Sequence, residues 1–146
     1  IHGRMQEDIM IISTKGRYAL RVMIDLAQQP DERYVPLAEI AERQDISEKY
    51  LESILVVLSK NGMLLSLRGK GGGYRLARAP KDYTAKEILH LTEGSLAPVV
   101  CMKAGDSCER AEICPTRPMW AGLDQVIDDY LNGWTLDKLA GMEEPV

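Results

Sequence analysis

Residues 47–78 read SEKYLESILVVLSKNGMLLSLRGKGGGYRLAR, and this stretch decides the fold. Its first half carries four apolar residues at helical spacing: Leu51, Ile54, Leu55 and Leu58. Such spacing predicts a helix with one buried face. Ser47 is placed to cap this helix at its N-terminus, and Asn61-Gly62 is a typical signal for its C-terminus. We expect Lys49, Glu52 and Ser53 to point outward from the opposite face.

The second half of the stretch predicts a β-hairpin. Met63–Arg68 and Tyr74–Arg78 flank the glycine-rich segment GKGGG at residues 69–73, which suits a flexible tip. Upstream, helical spacing from Ser13 and a second apolar pattern after Pro36 predict a longer and a shorter helix. A helix, a short helix, a tight turn, a helix and a hairpin form a winged helix-turn-helix. The predicted fold class is therefore mainly α with a small β-hairpin wing.

The formal net charge of −4 conceals a gradient along the chain. Residues 13–81 hold 12 Lys and Arg against 8 Asp and Glu, a local charge of +4, whereas residues 101–146 hold 4 against 9, a local charge of −5. Residues 60–81 contain six basic side chains and no acidic one: Lys60, Arg68, Lys70, Arg75, Arg78 and Lys81. A basic run is most often only a solvated surface, but this one coincides with the predicted wing, which favours DNA as the partner.

Composition and motifs exclude several other classes. The chain has 146 residues, 45% of them hydrophobic and 27% charged, which is typical of an ordinary globular protein. No apolar run approaches the ~20 residues that cross a bilayer, and no signal peptide is evident, so we expect a cytoplasmic protein without a membrane partner. A nucleotide phosphate loop is excluded because the GK of the wing lacks the G-x-x-x-x-G-K-[ST] spacing. No His–Cys pair or catalytic carboxylate pair is evident, so an enzyme is not predicted.

The pattern changes after the wing. We divide the chain into five segments: a tag or extension (1–9), the winged helix-turn-helix DNA-binding domain (10–82), a linking helix (83–97), a cysteine loop (98–117) and a dimerisation helix with a tail (118–146). Thr84 and Glu87 have the spacing of a capping box, which predicts the start of the linking helix.

The C-terminal helix carries a seam of large residues at steps of 3, 4, 3 and 4: Trp120, Leu123, Ile127, Tyr130 and Trp134. Since the chain has no Phe, this seam concentrates its few aromatic side chains on one stripe. Such a stripe favours an interface between two chains, and the alternative is a helix packed into the core of its own chain.

Three segments of the chain resemble one family of bacterial regulators. ISTKGRYALR at 12–21, ISEKYLE at 46–52 and RGKGGGY at 68–74 closely resemble the family that includes IscR, CymR, NsrR and RirA. The resemblance covers about residues 10–140. It implies a homodimeric winged-helix transcription factor that binds double-stranded DNA at a near-palindromic operator and dimerises through the C-terminal helix.

The resemblance also implies which residues contact DNA. In the recognition helix five residues occupy positions that face DNA in the family: Ser47, Lys49, Tyr50, Glu52 and Ser53. Glu52 is the most informative, because a carboxylate can accept a hydrogen bond from cytosine N4. In the wing, Arg68 is placed to enter a minor groove, with Lys70, Gly71 and Gly72 beside it. The alternatives are a half-buried Tyr50, a merely solvated Glu52 and a plain hairpin turn.

Cys101, Cys108 and Cys114 are the only cysteines of the sequence. An odd number clustered in one loop argues against a disulfide framework and favours a soft-metal or redox site. Several family members hold an iron–sulfur cluster on three cysteines in this loop, so the resemblance implies a [4Fe-4S] or [2Fe-2S] cluster on these three. Zinc, redox thiols without a metal and a loop that has lost its function stay open.

The fourth cluster ligand is also open. In IscR a histidine three residues after the last cysteine completes the site, and the same position here is Arg117. NsrR uses an N-terminal aspartate, and the matching residue here is Arg17. The remaining candidates are a water, a small thiol or one of five carboxylates: Glu7, Asp8, Asp106, Glu109 and Glu112.

Two functions therefore fit the sequence. The first is a regulator that senses iron–sulfur status, iron, nitric oxide or redox state through a cluster. The alternative is a CymR-like repressor of cysteine and sulfur metabolism, controlled by a partner protein or by thiol oxidation without a cluster. CymR-type proteins do not need a cysteine triad, so the triad favours the first function. A redox or metal-carrier protein is disfavoured by the basic wing.

Overall fold

The computed structural model describes residues 12–30, 32–94, 96 and 115–141. Within them the helices are α1 (Thr14–Ala27), α2 (Leu37–Gln44), α3 (Glu48–Lys60), α4 (Ala85–Glu93), α5 (Arg117–Asn132) and α6 (Leu136–Leu139), with strands β1 (Leu64–Leu67) and β2 (Gly73–Leu76) and a 3₁₀ turn at Pro80–Asp82. This order confirms the predicted fold class. The three cysteines, residues 1–9 and the five carboxylates proposed as fourth ligands lie outside the described residues.

The apolar face of α3 lies at the centre of the core. The predicted stripe is confirmed, since four side chains have no exposed surface: Leu51, Ile54, Leu55 and Leu58. The side chain of Ser47 caps α3 as predicted, with its Oγ accepting a hydrogen bond from the Tyr50 amide at 3.2 Å. The turn between α2 and α3 is closed by Asp45 in the left-handed conformation, with φ of 54°.

A buried ion pair fixes α1 against α2. Asp25 in α1 is only 3% exposed, and it accepts two hydrogen bonds from Arg43, at 2.9 and 2.7 Å, and one from Gln44 at 2.8 Å. Arg43 also bonds to Glu39, which pairs with Arg33 at 2.5 Å. The hydrogen bonds from Arg33 and Arg43 lower the pKa of Glu39 from 4.5 to about 2.

The hairpin is shorter than predicted. The strands were expected over Met63–Arg68 and Tyr74–Arg78, but the ladder spans Leu64–Leu67 and Gly73–Leu76, with Leu65 opposite Arg75. Beyond Leu76 the Ala77 amide donates to the Met63 carbonyl at 3.3 Å, and the hydroxyl of the buried Tyr83 accepts hydrogen bonds from the Ala77 and Arg78 amides, at 2.9 and 3.0 Å. The same hydroxyl donates to the Met63 carbonyl at 2.6 Å, so Tyr83 ties the base of the wing to the chain that enters α4.

Besides β1, an isolated extended residue, Val35, pairs with β2. Val35 exchanges two backbone hydrogen bonds with Tyr74, at 2.8 and 2.9 Å. Gly73 permits this approach, because a Cβ on it would lie 2.2 Å from the Val35 carbonyl oxygen. The wing is thereby held against the loop between α1 and α2.

Only half of the predicted capping box forms at α4. Thr84 Oγ1 accepts a hydrogen bond from the Glu87 amide at 3.1 Å, as predicted. The Glu87 carboxylate pairs instead with Arg78 at 2.8 Å and leaves the reciprocal half unmade. This pairing raises the pKa of Arg78 and binds the wing to α4.

The C-terminal helix is shorter than predicted, whereas the interface role of Trp134 stays a prediction. Helix α5 ends at Asn132 with Gly133 at its C-cap, so Trp134 lies beyond the helix. The Trp134 carbonyl accepts a hydrogen bond from the Ala85 amide at 2.8 Å, which draws the chain back towards α4. Leu136 of α6 then completes the core with no exposed surface.

Candidate nucleic-acid interface

A groove of about 570 Å³ runs between α3 and the inner side of the wing. It brings together three of the residues predicted to contact DNA: Glu52, Arg68 and Gly72. Val56, Ser59 and Lys60 line the same groove, and only Lys60 was singled out by its charge. Val56 and Ser59 follow Glu52 by four and seven residues, so helical spacing from Glu52 could have identified them.

The N-terminal part of α3 presents its predicted residues at the surface. Ser47, Lys49, Glu52 and Ser53 are exposed. Ser53 Oγ donates to the Tyr50 carbonyl at 2.6 Å, so its hydroxyl is already used within the helix. Within the described part of the chain, Lys49 makes no ion pair, which leaves its charge available to a phosphate.

Tyr50 is half-buried and extends this surface to α1. Its ring lies edge-on to Tyr18, with the centroids 5.7 Å apart. The guanidinium of Arg21 lies over the Tyr18 ring at 4.9 Å, and its Nε donates to Gln44 at 3.2 Å. Arg21 is exposed and held in place beside the recognition helix, although sequence reasoning did not select it as a site residue.

The tip of the wing is a tight turn with two exposed cations. The Gly72 amide donates to the Gly69 carbonyl at 3.0 Å, and Gly69 and Gly71 have φ of 92° and 78°. A Cβ on Gly72 would lie 2.2 Å from the Leu67 carbonyl oxygen, so this glycine serves the turn itself. Arg68 and Lys70 are exposed and, among the described residues, form no ion pair.

The basic run divides into two groups. Lys60, Arg68, Lys70 and Lys81 are exposed. Arg78 is instead engaged by Glu87 and lies over the Tyr83 ring at 4.3 Å, and Arg75 lies over the Tyr34 ring at 4.8 Å. Arg78 therefore belongs to the basic run by sequence, but its charge is paired with Glu87 between the wing and α4.

The predicted dimer residues on α5 differ in their exposure. Leu123 and Tyr130 are exposed, whereas Trp120 and Ile127 are half-buried. The exposed stripe consists of Met119, Leu123, Val126 and Tyr130, which are 57%, 40%, 63% and 65% exposed. We call these four residues the α5 stripe. The predicted seam was chosen to include the aromatic side chains, so it used Trp120 and Ile127. Their neighbours Met119 and Val126 were missed.

The metal-site prediction falls mainly on residues outside the described ranges. Arg117, three residues after Cys114, is the first residue of α5. In the ranges that the structure covers, no group of three or more His, Cys, Asp or Glu side chains could hold a metal ion. No helix there is long and apolar enough to span a bilayer.

Comparison with known proteins identifies transcriptional regulators as relatives of this chain. Residues 12–141 match the Rrf2 family, described as an iron-dependent transcriptional regulator. IscR from Pectobacterium atrosepticum is 38% identical over 135 residues, which cover 92% of this chain and 82% of that protein. IscR from Escherichia coli is 36% identical over 135 residues, covering 92% and 83%.

Solved structures extend the comparison. CymR of B. subtilis, described as the global cysteine regulator, matches with a TM-score of 0.75 and 34% identity, over 93% of this chain and 100% of that one. T. potens IscR matches with a TM-score of 0.70 and 36% identity, over 91% and 88%. These relatives are DNA-binding regulators and not enzymes. The chain therefore belongs to the Rrf2 family of winged-helix transcriptional regulators.

Proposed function

We propose that this regulator is a homodimer whose affinity for DNA is set by an iron–sulfur cluster on Cys101, Cys108 and Cys114. The observation that carries the DNA-binding part is the groove between α3 and the wing, which has Glu52 on one side and Arg68 on the other. The cluster part rests on the cysteine triad and on the similarity to IscR.

In this proposal α3 enters the major groove and the wing enters the adjacent minor groove. The exposed N-terminal turn of α3 offers Lys49 to phosphates and Glu52 to base edges, where a carboxylate favours cytosine. Arg68 would lie in the minor groove, where a narrow A·T-rich segment concentrates negative potential. Arg21 adds a phosphate contact from α1.

The α5 stripe supports a dimer. Its residues recur at steps of 4, 3 and 4, which is the spacing of a seam between two helices. A neighbouring groove of about 300 Å³ is lined only by apolar surface, including Val126, Tyr130 and Leu89. A second copy of the chain that covers this face would place two recognition helices on the two halves of a near-palindromic operator.

The donor set fits an iron–sulfur cluster. Thiolates are the usual protein ligands of such clusters, and the three cysteines would supply three of the four positions. Arg117 carries no lone pair for a metal, so a carboxylate, water or small thiol would complete the site. When bound, the cluster supplies sensitivity to iron, oxidants or nitric oxide.

Glu93 links the end of α4, which leads towards the cysteine segment, to the start of α1 in the winged domain. It is the last residue of α4, and its Oε1 accepts hydrogen bonds from the Ser13 amide at 2.9 Å and from Ser13 Oγ at 2.7 Å. Ser13 caps α1, and a Cβ on Gly16 would lie 2.2 Å from the same Oε1. A shift of the chain after α4 would thus act directly on the first DNA-binding helix.

The test is anaerobic purification followed by counts of iron and sulfide per chain, with Cys108→Ala as the variant and Ser107→Ala as its matched neighbour. We expect stoichiometric iron and sulfide in the wild type and in Ser107→Ala, and their loss in Cys108→Ala. DNA affinity should differ between the cluster-bound and cluster-free forms, and Glu93→Gln should reduce that difference. Colourless protein that resists anaerobic reconstitution would contradict the cluster.

One observation favours a second candidate function. The match to CymR of B. subtilis covers all of that chain and has the TM-score of 0.75 given above. A CymR-like repressor would bind DNA without a cluster and respond to a partner protein or to thiol oxidation. This alternative predicts that Cys108→Ala binds DNA as the wild type does under reducing conditions.

A further inference from the structure

The outer side of the wing carries a groove distinct from the DNA-facing one. In the hairpin, side chains alternate between the two faces, so Leu65 and its partner Arg75 lie opposite Ser66 and Tyr74. Ser66 and Tyr74 line the groove beside α3, whereas Leu65 and Arg75 line a groove of about 350 Å³ on the other side. We call this second site the rear groove.

Arg75 is the uncommitted cation of the rear groove. Arg33 and Arg78 also line it, but they are paired with Glu39 and Glu87. Arg75 forms no ion pair with any described residue, and its Nε is buried without a hydrogen-bond partner there. Its guanidinium lies over the Tyr34 ring at 4.8 Å, which holds the plane in place for a carboxylate.

The remaining wall of the rear groove is mostly apolar and carries one acidic side chain, Glu32, against the three arginines. Leu65, Leu76, Pro30 and Pro80 line it, and Leu65 is 42% exposed. Within the described residues the sheet has two strands, and Val35 occupies the side of β2 that faces away from β1. The other edge of β1 is therefore open to an added extended segment.

We propose that the rear groove docks an acidic, extended peptide segment of a partner protein, with a carboxylate on Arg75 and an apolar side chain beside Leu65. Charge complementarity selects the acidic residue, and the leucine and proline wall selects its apolar neighbour. Duplex DNA fits this groove less well, because phosphates gain nothing from an exposed leucine. Since the recognition helix lies on the other side of the wing, the partner and the operator would bind together.

The test is fluorescence anisotropy with a labelled peptide of alternating aspartate or glutamate and leucine, titrated with the full chain. A peptide with lysine in place of the acidic residues is the matched probe. We expect saturable binding of the acidic peptide only, weakened about tenfold or more by Arg75→Ala, as for loss of a charge-assisted hydrogen bond. Leu65→Ser, at an exposed position, should weaken it too, whereas Lys70→Ala at the wing tip should leave it unchanged.

Duplex DNA provides the second readout. A saturating random-sequence duplex should not displace the peptide, and Arg75→Ala should bind that duplex as the wild type does. Absence of saturable binding, equal loss in Lys70→Ala, displacement by the duplex, or weaker duplex binding by Arg75→Ala would each overturn the proposal. The last two outcomes would assign Arg75 to a phosphate contact.

Discussion

Helices α3 and α5 are both amphipathic, but only α3 finds a complete partner surface within its own chain. The apolar stripe of α3 has no exposed surface, and its polar side faces outward beside the wing. Helix α5 has no buried residue among those described, and its exposed large apolar side chains form the α5 stripe.

The difference shows that the same hydrophobic pattern can stabilise either the fold of one chain or its association with a second molecule. A stripe that the same chain covers stabilises the fold, because its burial removes apolar area from water during folding. A stripe left open gains that free energy only when a second molecule covers it. Variants of the two helices should therefore act on different equilibria.

The largest effect is expected from Leu55→Ala in α3. The side chain is fully buried, so its truncation leaves a cavity, and the free energy of unfolding should fall by about 2–5 kcal/mol. Urea unfolding followed by far-UV circular dichroism measures this change. Val56→Ala is the control on the exposed side of the same helix and should cost roughly 1 kcal/mol or less. Equal losses in the two variants would contradict the assigned core face.

Val126→Glu in α5 should act on association instead. A charge at the centre of the α5 stripe should raise the dimer dissociation constant by about 30-fold to 150-fold, as for an interface hot spot of about 2–3 kcal/mol. Sedimentation velocity over a concentration series measures it. Ala121→Glu, on another face of α5, should leave the dissociation constant unchanged. A monomer fold destabilised by Val126→Glu would indicate that this stripe packs within the chain.

Arg68→Ala should weaken DNA binding without changing stability. Loss of one minor-groove cation should cost about 1–3 kcal/mol of affinity at A·T-rich flanks and reduce the salt slope by about 1. Anisotropy with a labelled duplex at several salt concentrations checks both values. Lys138→Ala removes an exposed cation of α6, outside the basic run, and serves as the control. Unchanged affinity and slope would show that the wing does not reach DNA.

The smallest expected effect is on the pH dependence of stability, through Glu39 of α2. Since the pKa of Glu39 is lowered from 4.5 to about 2 in the folded chain, its stabilisation is present above pH 4.5 and is lost as the pH falls towards 2. Glu39→Gln should therefore flatten the decline of stability in that window, and Glu42→Gln should not. Because Glu39 is at the surface, the change will be small. Urea midpoints measured across acidic pH report it.

Local pattern was enough to predict the winged domain. The spacing of the α3 stripe, the cap at Ser47 and the glycines of the wing each have a local cause that can be read from neighbouring residues. The ends of the strands were not predictable in this way, because Tyr83 reaches the Ala77 and Arg78 amides across the turn that follows the wing. The role of Arg78 was missed for a related reason, since its partner Glu87 lies on the next helix.

The C-terminal seam was only partly predictable. Aromatic size suggested Trp120 and Trp134, but packing against α4 and the C-cap at Gly133 decide which side of α5 stays open. The packing against α4 is a tertiary effect that a single heptad does not show, whereas Gly133 is a local signal for the end of the helix. Which side chains form the α5 stripe can be seen only when the packing of α5 against α4 is known.

Native mass spectrometry of the anaerobically purified protein, alone and with a duplex selected from a random pool, tests the dimer and the cluster together. We expect a species of twice the 16.3 kDa chain mass plus the mass of bound iron and sulfide, with two chains on each duplex. A single chain on each duplex, or a free monomer without added mass at the same concentration, would contradict a cluster-sensing dimer.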